Sequence, residues 1–169
     1  MDVILNRRSV RKYDLTKKIS NETLEFLCRC AESAPSARRQ KSREYVIIND
    51  QKIIDELSNV SKGSMILSEC NTVIAVIAKD PSELTTPHMQ VQDLSSATEN
   101  ILLAATSLGL GSCWIGITPH EDRESACNKI LNISEGKKVF SLVALGYPLE
   151  HDNAFYDAKK EATITYNRG

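Results

Sequence analysis

The chain has few glycines and no long apolar segment. Seven of its 169 residues are glycine, a smaller share than the usual value of about 7%. Where glycines cluster, we therefore expect a backbone conformation or a close approach that other residues do not allow. The longest apolar runs, such as residues 73–78, are far shorter than the ~20 residues of a membrane span. The N-terminus reaches Arg7-Arg8 after only three apolar residues and lacks the apolar core of a secretory signal. We therefore expect a cytoplasmic protein with no membrane partner.

Metal-ligand clusters and catalytic motifs are also missing from the sequence. The five cysteines form no C-x-x-C pair and the three histidines are widely spaced, so we expect buried reduced thiols and no metal site. The absence of a G-x-S-x-G elbow and of a Walker loop leaves hydrolase and nucleoside-triphosphate functions without support. Because no pattern of side chains indicates acid–base catalysis, the sequence favours a bound cofactor that performs the reaction itself.

Charge is unevenly distributed along a chain of one domain's length. With 41% hydrophobic and 25% charged residues, the chain is expected to fold as a single domain over 1–169. Residues 1–43 contain eleven Lys and Arg against five Asp and Glu, whereas residues 44–169 contain ten against seventeen. A basic segment of this kind can bind nucleic acid, a membrane surface or a phosphorylated cofactor, or can simply be a solvated face.

Hydrophobic spacing and capping residues predict an α+β or α/β fold, with a mixed β-sheet packed by helices. Helices are expected at 2–6, from Ser20 to near Pro35, after Asp50, at 91–108 and from Thr118 to near Leu131. Strands are expected at 45–48, 72–78, 112–117 and 139–145, with a loop at 81–90 and a short β-prone piece at 163–166. The helix after residue 117 opens with Thr118-Pro119-His120-Glu121, a capping box with proline at the first helical position.

Glycines cluster between the long helix and the strand that follows it, in Gly109-Leu110-Gly111-Ser112-Cys113-Trp114-Ile115-Gly116. A dinucleotide fingerprint needs a strand first and a helix second, and here the order is reversed. Gly109 and Gly111 are therefore interpreted as a left-handed helix stop and a tight entry into the strand. A glycine late in a strand, such as Gly116, often marks the close approach of another group to the backbone. Trp114 fits a core position and a pocket wall equally well.

Four segments together resemble the FMN-dependent nitroreductase family. They are Arg7-Arg8-Ser9-Val10-Arg11-Lys12-Tyr13, Ala34-Pro35-Ser36-Ala37, Gly109-Leu110-Gly111-Ser112-Cys113-Trp114-Ile115-Gly116 and Leu145-Gly146-Tyr147-Pro148. The resemblance covers nearly the whole chain and implies a nitroreductase-like α+β fold, an FMN cofactor and an obligate homodimer with exchange of the C-terminal strand. It also implies that NAD(P)H delivers hydride to flavin N5 and that a nitroaromatic, quinone or similar small acceptor then takes the electrons in a ping-pong cycle.

The resemblance also implies which residues hold the flavin. They are Arg7, Arg8, Ser9, Arg11, Pro35, Ser36, Ala37, Arg39, Trp114, Ile115, Gly116 and Lys159. The first four would bind the phosphate and ribityl chain, with Lys159 at a phosphate position in the tail. Residues 114–116 would run beside the isoalloxazine ring, and residues 35–37 would contact the flavin held by the partner subunit. No catalytic side chain is expected, because the chemistry takes place at flavin N5.

The chain departs from the family pattern after Ala37. The family usually continues Pro-Ser-Ala-x-Asn-x-Gln-Pro-Trp, whereas this chain has Arg39 in place of Asn and Ser42-Arg43 in place of Pro-Trp. We therefore expect altered local packing and extra positive charge near the phosphate or the substrate entrance. The short loop at 80–92 leaves little room for helices that cover the flavin, which predicts an open pocket.

Two other functions fit parts of the sequence. One is an FMN-binding protein of the same fold with little reductase activity. The other is a polyanion-binding module that uses the basic N-terminal segment. Nucleic-acid modules tend toward high pI and aromatic stacking platforms, whereas this chain has a pI near 6.3 and 5% aromatic residues. The flavoenzyme, with no nucleic-acid partner, is therefore the favoured interpretation.

Overall fold

The computed structural model describes residues 2–149 and 162–167. Its helices are α1 (Asp2–Asn6), α2 (Asn21–Glu32), α3 (Gln51–Ser58), α4 (Gln90–Ser107) and α5 (Glu121–Ile130). Its strands are β1 (Arg43–Ile48), β2 (Thr72–Ala78), β3 (Gly111–Gly116) and β4 (Lys138–Gly146). Short 3-10 turns lie at Ala37–Arg39, Ser64–Glu69, Pro81–Glu83 and Pro87–Met89. No helix in this part of the chain is long and apolar enough to span a bilayer.

The four strands form one sheet in the order β1-β2-β4-β3. All three strand pairings are antiparallel, and a single parallel bridge joins Ser9 to Ser112 at the outer edge of β3. Helices cover both faces, so the predicted α+β class and the sheet flanked by helices are confirmed, and the described strands pair with one another only in the antiparallel sense.

Residues on the two faces of the sheet alternate, because successive side chains of a strand point to opposite sides. Val73 and Ala75 of β2 belong to a core with residues of α3 and α5. Ile74 and Val76 belong to a second core with residues of α2 and α4. Every residue of β2 is buried, as its continuous apolar sequence predicts. The long helix α4 therefore lies in the core on one face of the sheet.

Several predicted helix ends are confirmed. The Ser20 hydroxyl accepts the Thr23 N–H at 3.2 Å, and the Asp50 carboxylate accepts the Lys52 N–H at 2.9 Å, which are N-cap hydrogen bonds. After α4, Gly109 has a φ of 72°, the left-handed conformation expected at a helix stop.

The predicted capping box at residues 118–121 is wrong. Helix α5 begins at Glu121, and its N-cap residue His120 makes no side-chain cap hydrogen bond. The N–H of Thr118 bonds to the carbonyl of Phe140 on β4 at 3.0 Å, so this residue still belongs to the end of the sheet. Its hydroxyl donates to Glu124 at 2.7 Å. Pairing to β4 therefore outweighs the local helix signal at Thr118.

Two more segments differ from their predicted form. Residues 81–90, predicted as a loop, contain two 3-10 turns that each begin with a proline. Residues 163–166 form no strand within the single chain, and Ile164 and Tyr166 are exposed. Lys159 lies outside the described residues, and the exchange of the C-terminal segment between subunits stays a prediction.

A buried carboxylate, Asp93 of α4, fixes the loop between α2 and β1. One of its oxygens accepts the N–H of Ala37 at 2.8 Å. The other accepts the Gln40 amide at 2.7 Å and the Ser42 hydroxyl at 2.9 Å. Asp93 is only 4% exposed, and a buried charge is tolerated because it is hydrogen-bonded in this way.

The Arg43 side chain holds the same loop from its other end. The side chain is 2% exposed, and its guanidinium donates to the carbonyls of Ala34 at 2.6 Å, Glu32 at 3.0 Å and Asp93 at 3.1 Å. The sequence predicts that Arg43 adds positive charge near the phosphate or the substrate entrance. That charge is instead buried, because the rigid fork of an arginine matches several carbonyls at once.

We predict that Asp93→Asn destabilises the protein, because an amide replaces a carboxylate that accepts three hydrogen bonds. Hydrogen bonds to a charged group contribute about 1.5–3 kcal/mol, so the unfolding free energy measured in urea should fall by about that amount. Asp55→Asn is the matched control, since Asp55 is exposed on α3 and accepts one side-chain bond, from Gln51. Equal unfolding midpoints for the two variants would contradict this role of Asp93.

Candidate functional site

The basic N-terminal segment, residues 7–13, lies across the ends of β3 and β4. The N–H of Val10 donates to the carbonyl of Ser112 at 2.9 Å, next to the bridge between Ser9 and Ser112. A second bridge joins Tyr13 to Pro148. These backbone contacts hold the segment at the outer edge of β3 and fix the backbone positions from which its arginine side chains extend.

Two glycines make room for this segment. Gly111 of β3 and Gly146 of β4 face each other across the sheet. A methyl group on Gly111 would lie 2.7 Å from Val10 Cγ1, and one on Gly146 would lie 2.8 Å from Tyr13 Cδ1. Both distances are shorter than real carbon–carbon contacts of about 3.5–4.0 Å. Gly111 is thus a tight entry into the strand, as predicted, because the N-terminal segment packs directly on it.

Tyr13 anchors the segment in the core. It is 4% exposed, and its hydroxyl donates to the carbonyl of Val10 at 2.6 Å. Burial is the main cause that raises the pKa of Tyr13 above its ordinary value. The hydroxyl therefore stays protonated and keeps its hydrogen bond.

The three predicted phosphate-binding arginines have different partners. Arg7 pairs with Glu99 of α4 at 3.3 Å, and Arg11 donates to the carbonyl of Ser9 at 3.2 Å. Arg8 donates from Nη1 to the carbonyls of Leu5 at 2.7 Å and Arg7 at 3.0 Å. Its Nε atom is buried and has no hydrogen-bond partner among the described residues.

A second buried polar atom without a partner lies on β3. The Ser112 hydroxyl has no hydrogen-bond partner in the described part of the chain, and the residue is 1% exposed. Leaving a buried polar atom unpaired costs about 1–3 kcal/mol, and such atoms in native proteins call for an explanation. Arg8 directly precedes Ser9, which bridges to Ser112, so the two unpaired atoms belong to segments that meet at the edge of β3.

The pKa of the Cys113 thiol, which follows Ser112 on β3, is also affected by this segment. Burial raises the pKa of Cys113, whereas the charge of Arg11, a hydrogen bond with Ser9 and the charge of Arg7 lower it. The guanidinium groups therefore act on the same stretch of β3 that carries Ser112.

Beyond Ser112, no strand pairs with the outer edge of β3 among the described residues. In an antiparallel strand, the N–H and C=O of alternate residues point to the same side. Because the Ser112 carbonyl points outward to Val10, the N–H groups of Trp114 and Gly116 also point outward, away from β4. Nothing lies within 4 Å of the position of a methyl group on Gly116. The space beside its α-carbon is therefore open among the described residues, whereas its backbone carbonyl is approached by Arg123, whose Nη1 donates to it at 3.3 Å.

Residues 114–116 divide their side chains between the two faces. Ile115 is buried in the core formed with α3 and α5. Trp114 is half-buried on the opposite face, with its ring 6.2 Å from that of Phe140. All three residues pair with β4, but the N–H groups of Trp114 and Gly116 point outward, whereas that of Ile115 points toward β4.

The other predicted contacts, Pro35, Ser36, Ala37 and Arg39, lie in the loop that Asp93 fixes. Residues 35–37 line a cavity of about 330 Å³ against the beginning of α4. Arg39 lines a neighbouring cavity of about 390 Å³. No residue of the N-terminal segment lines either cavity. On α4, Asp93 holds the loop of residues 35–39 and Glu99 pairs with Arg7 of the N-terminal segment. These two positions are separated by about 9 Å along the helix, at 1.5 Å per residue.

Sequence reasoning missed two residues that organise the site. Asp93 holds the loop of residues 35–39, and Glu99 pairs with Arg7. Asp93 lies directly before Leu94 and four residues before Ala97, both on the buried face of α4. A carboxylate on the buried face of a helix must be hydrogen-bonded or paired with a charge. The helical spacing of Asp93 from Leu94 and Ala97 therefore indicates, from the sequence alone, a residue with a buried partner. Glu99 gives no comparable signal, because its partner is distant in the chain.

Comparisons with known proteins agree with this architecture. The profile of the family described as "Nitroreductase family" matches residues 4–69 and 65–147. A protein of Archaeoglobus fulgidus with the provisional name NADH dehydrogenase/NAD(P)H nitroreductase is 39% identical over 159 residues, which are 94% of this chain and 90% of the relative.

Solved structures share the fold over nearly the whole chain. A crystal structure from Clostridium acetobutylicum, provisionally named an NADH oxidase, has a TM-score of 0.91 and 36% identity, and the match covers 99% of this chain and 100% of that one. An FMN-dependent nitroreductase from Clostridium difficile has a TM-score of 0.88 and 25% identity, covering 99% and 98%. Because the family profile and the archaeal relative both cover most of its length, the chain belongs to the nitroreductase family.

Proposed function

We propose that the protein is an FMN-dependent oxidoreductase that oxidises NAD(P)H and reduces a small acceptor such as a nitroaromatic or a quinone. The observation that carries this proposal is the pair of unpaired buried atoms, Arg8 Nε and Ser112 Oγ, in segments that meet at an edge of β3 with no further strand partner among the described residues. The FMN dependence of the Clostridium difficile neighbour supports the same cofactor.

The residues of this chain fit such a cofactor. Arg8 and Ser112 supply polar atoms that need a partner, and Arg7, Ser9 and Arg11 supply further donors for a phosphate and a sugar-like chain. The outward N–H groups of Trp114 and Gly116 would hold the ring at the edge of β3. When bound, FMN supplies the redox chemistry, accepting hydride from NAD(P)H and passing electrons to the acceptor in a ping-pong cycle.

The direct test is the purified protein itself. It should be yellow, with flavin bands at about 370 and 450 nm, and should oxidise NADH or NADPH when a nitroaromatic or a quinone is added. Bound flavin without this activity would favour the alternative of an FMN-binding protein with little reductase activity. A colourless protein that also fails to bind added FMN at micromolar concentration would refute the proposal.

We predict that Arg8→Ala weakens FMN binding, because it removes the guanidinium whose Nε lacks a partner. Loss of a charge-assisted hydrogen bond costs about 1.5–3 kcal/mol, roughly 10- to 150-fold in Kd. Fluorescence titration should show a smaller effect on riboflavin, which lacks the phosphate. Arg29→Ala on the exposed surface of α2 is the control and should leave both affinities unchanged. An Arg8→Ala variant that binds FMN like the wild type would remove this residue from the site.

We predict that Gly116→Ala lowers flavin affinity without affecting folding. An added methyl group meets no atom of the described chain, and Gly116 does not have the positive φ that would strain an alanine. The methyl group would instead occupy the space proposed for the ring, so FMN affinity should fall by about tenfold or more. Gly63→Ala is the matched control, since its nearest neighbour lies 3.8 Å away. Both variants should unfold within about 0.5 kcal/mol of the wild type, and equal FMN affinity in both would contradict the proposal.

We further propose that two copies of the chain complete each flavin site. The N-terminal segment and residues 35–37 lie at different places along α4 and line no common cavity among those described above. In a two-fold dimer, each copy offers one surface to the other, so one group from each chain can meet around one ligand. The exposed apolar side chains of Ile4 and Leu5 on α1 and Leu108 after α4 supply apolar surface suited to such an interface.

Complementation between two variants tests the shared site. We predict that Arg8→Ala and Ala37→Trp each bind little FMN alone, and that unfolding and refolding them together restores flavin binding. Each mixed dimer then contains one site built from two unaltered halves. The two variants mixed without unfolding are the control. No recovery in refolded mixtures, together with a monomeric mass by light scattering, would show that one chain builds its own site.

A further inference from the structure

Three cations stand together on the loop that follows residues 35–37. Arg38, Arg39 and Lys41 are exposed, and their side chains make no hydrogen bond or ion pair with the described residues. Surface cations usually find a carboxylate or remain mobile in solvent. Here the backbone that carries them is instead closely held.

The backbone of this loop is strained and fixed. Arg38, Arg39 and Lys41 have φ values of 49°, 55° and 47°, a left-handed conformation that is unfavourable for residues other than glycine. Gln40 between them accepts both the N–H and the hydroxyl of Thr86 at 2.9 Å, and it donates to Asp93. Strain of this kind persists only where surrounding contacts impose it, and it is concentrated at ligand sites.

Two of the three cations border a cavity whose charged lining residues are mainly positive. Arg39 and Lys41 line the cavity of about 390 Å³ together with Pro35 and Ser36, and the buried Arg43 lies in its wall. The cavity has one carboxylate, Glu32, and that group is engaged by Arg43 at 3.4 Å and by the Tyr45 hydroxyl at 3.3 Å. Its uncompensated charge is therefore positive.

We propose that Arg39 and Lys41 bind a phosphate group of the nicotinamide donor. The inference rests on the proposed function, in which residues 35–37 lie against the flavin. Arg39 and Lys41 follow Ala37 by two and four residues, so their backbones lie within about 7 and 14 Å of it. The flavin phosphate has its own cations in residues 7–11, so Arg39, which the family resemblance places at the flavin, is assigned to the donor instead. The pyrophosphate of NADH and NADPH, and the extra phosphate of NADPH, are the remaining anions of the reaction.

The test compares donors with and without phosphate. The double variant Arg39→Ala/Lys41→Ala is loaded with FMN, and the reduction of its flavin is followed anaerobically with NADH, NADPH and N-benzyl-dihydronicotinamide, which has no phosphate. We expect the apparent Kd for the dinucleotides to rise roughly 10- to 100-fold, with an unchanged limiting rate and no effect on the benzyl compound. Lys52→Ala/Lys129→Ala, which removes two exposed cations from α3 and α5, is the matched control.

The pattern of the effect identifies the phosphate. A larger rise for NADPH than for NADH indicates the additional phosphate, and equal rises indicate the pyrophosphate. Calorimetric binding of 2′,5′-ADP and of ADP provides a readout that does not depend on activity, and both should bind the double variant more weakly than the control. Unchanged Kd values, or an equal effect on the benzyl compound, would overturn the inference. A wild-type protein that binds no FMN would refute the proposed function instead, and the calorimetric comparison would still decide whether this loop binds phosphate.

Discussion

The close contact between the N-terminal segment and two facing glycines is the constraint on which the rest of the site depends. Gly111 and Gly146 leave no side chain between the ends of β3 and β4 and the residues Val10 and Tyr13. This contact places a basic segment against an antiparallel edge strand, whose backbone groups would otherwise remain open. Residues 7–11, Ser112 and the outward N–H groups of β3 consequently meet at one edge of the sheet.

Helix α4 connects this edge to the second part of the site. Two of its carboxylates make contacts at different positions along the helix. Glu99 pairs with Arg7, and Asp93 accepts hydrogen bonds from the loop after α2. The buried Arg43 extends the second network to the carbonyls that end α2. A fully satisfied buried polar network is rigid, since breaking any member leaves unpaired groups in a low-dielectric environment. The loop can therefore hold three cationic residues in left-handed conformations.

Local sequence signals predicted most of the fold, because the periods of helices and strands differ and caps are short-range. Ser20, Asp50 and Gly109 mark helix ends through contacts with neighbours in the chain, and the structure confirms them. The same reasoning was wrong at Thr118, where a bond to Phe140 of β4 competes with the local capping signal. The four motifs pointed to the family, but they do not show which atoms of residues 7–11 remain unpaired.

The sequence by itself determined the elements, the two-sided burial of β2, the basic first quarter and the resemblance to a flavoprotein family. Only the tertiary structure decided what the departures after Ala37 mean. Arg43 is buried as a structural cation, whereas Arg39 and Lys41 remain exposed beside a cavity. The physical reason is that the position of a charge depends on carbonyls and carboxylates from α2 and α4, which are distant in sequence and come together only when the helices pack.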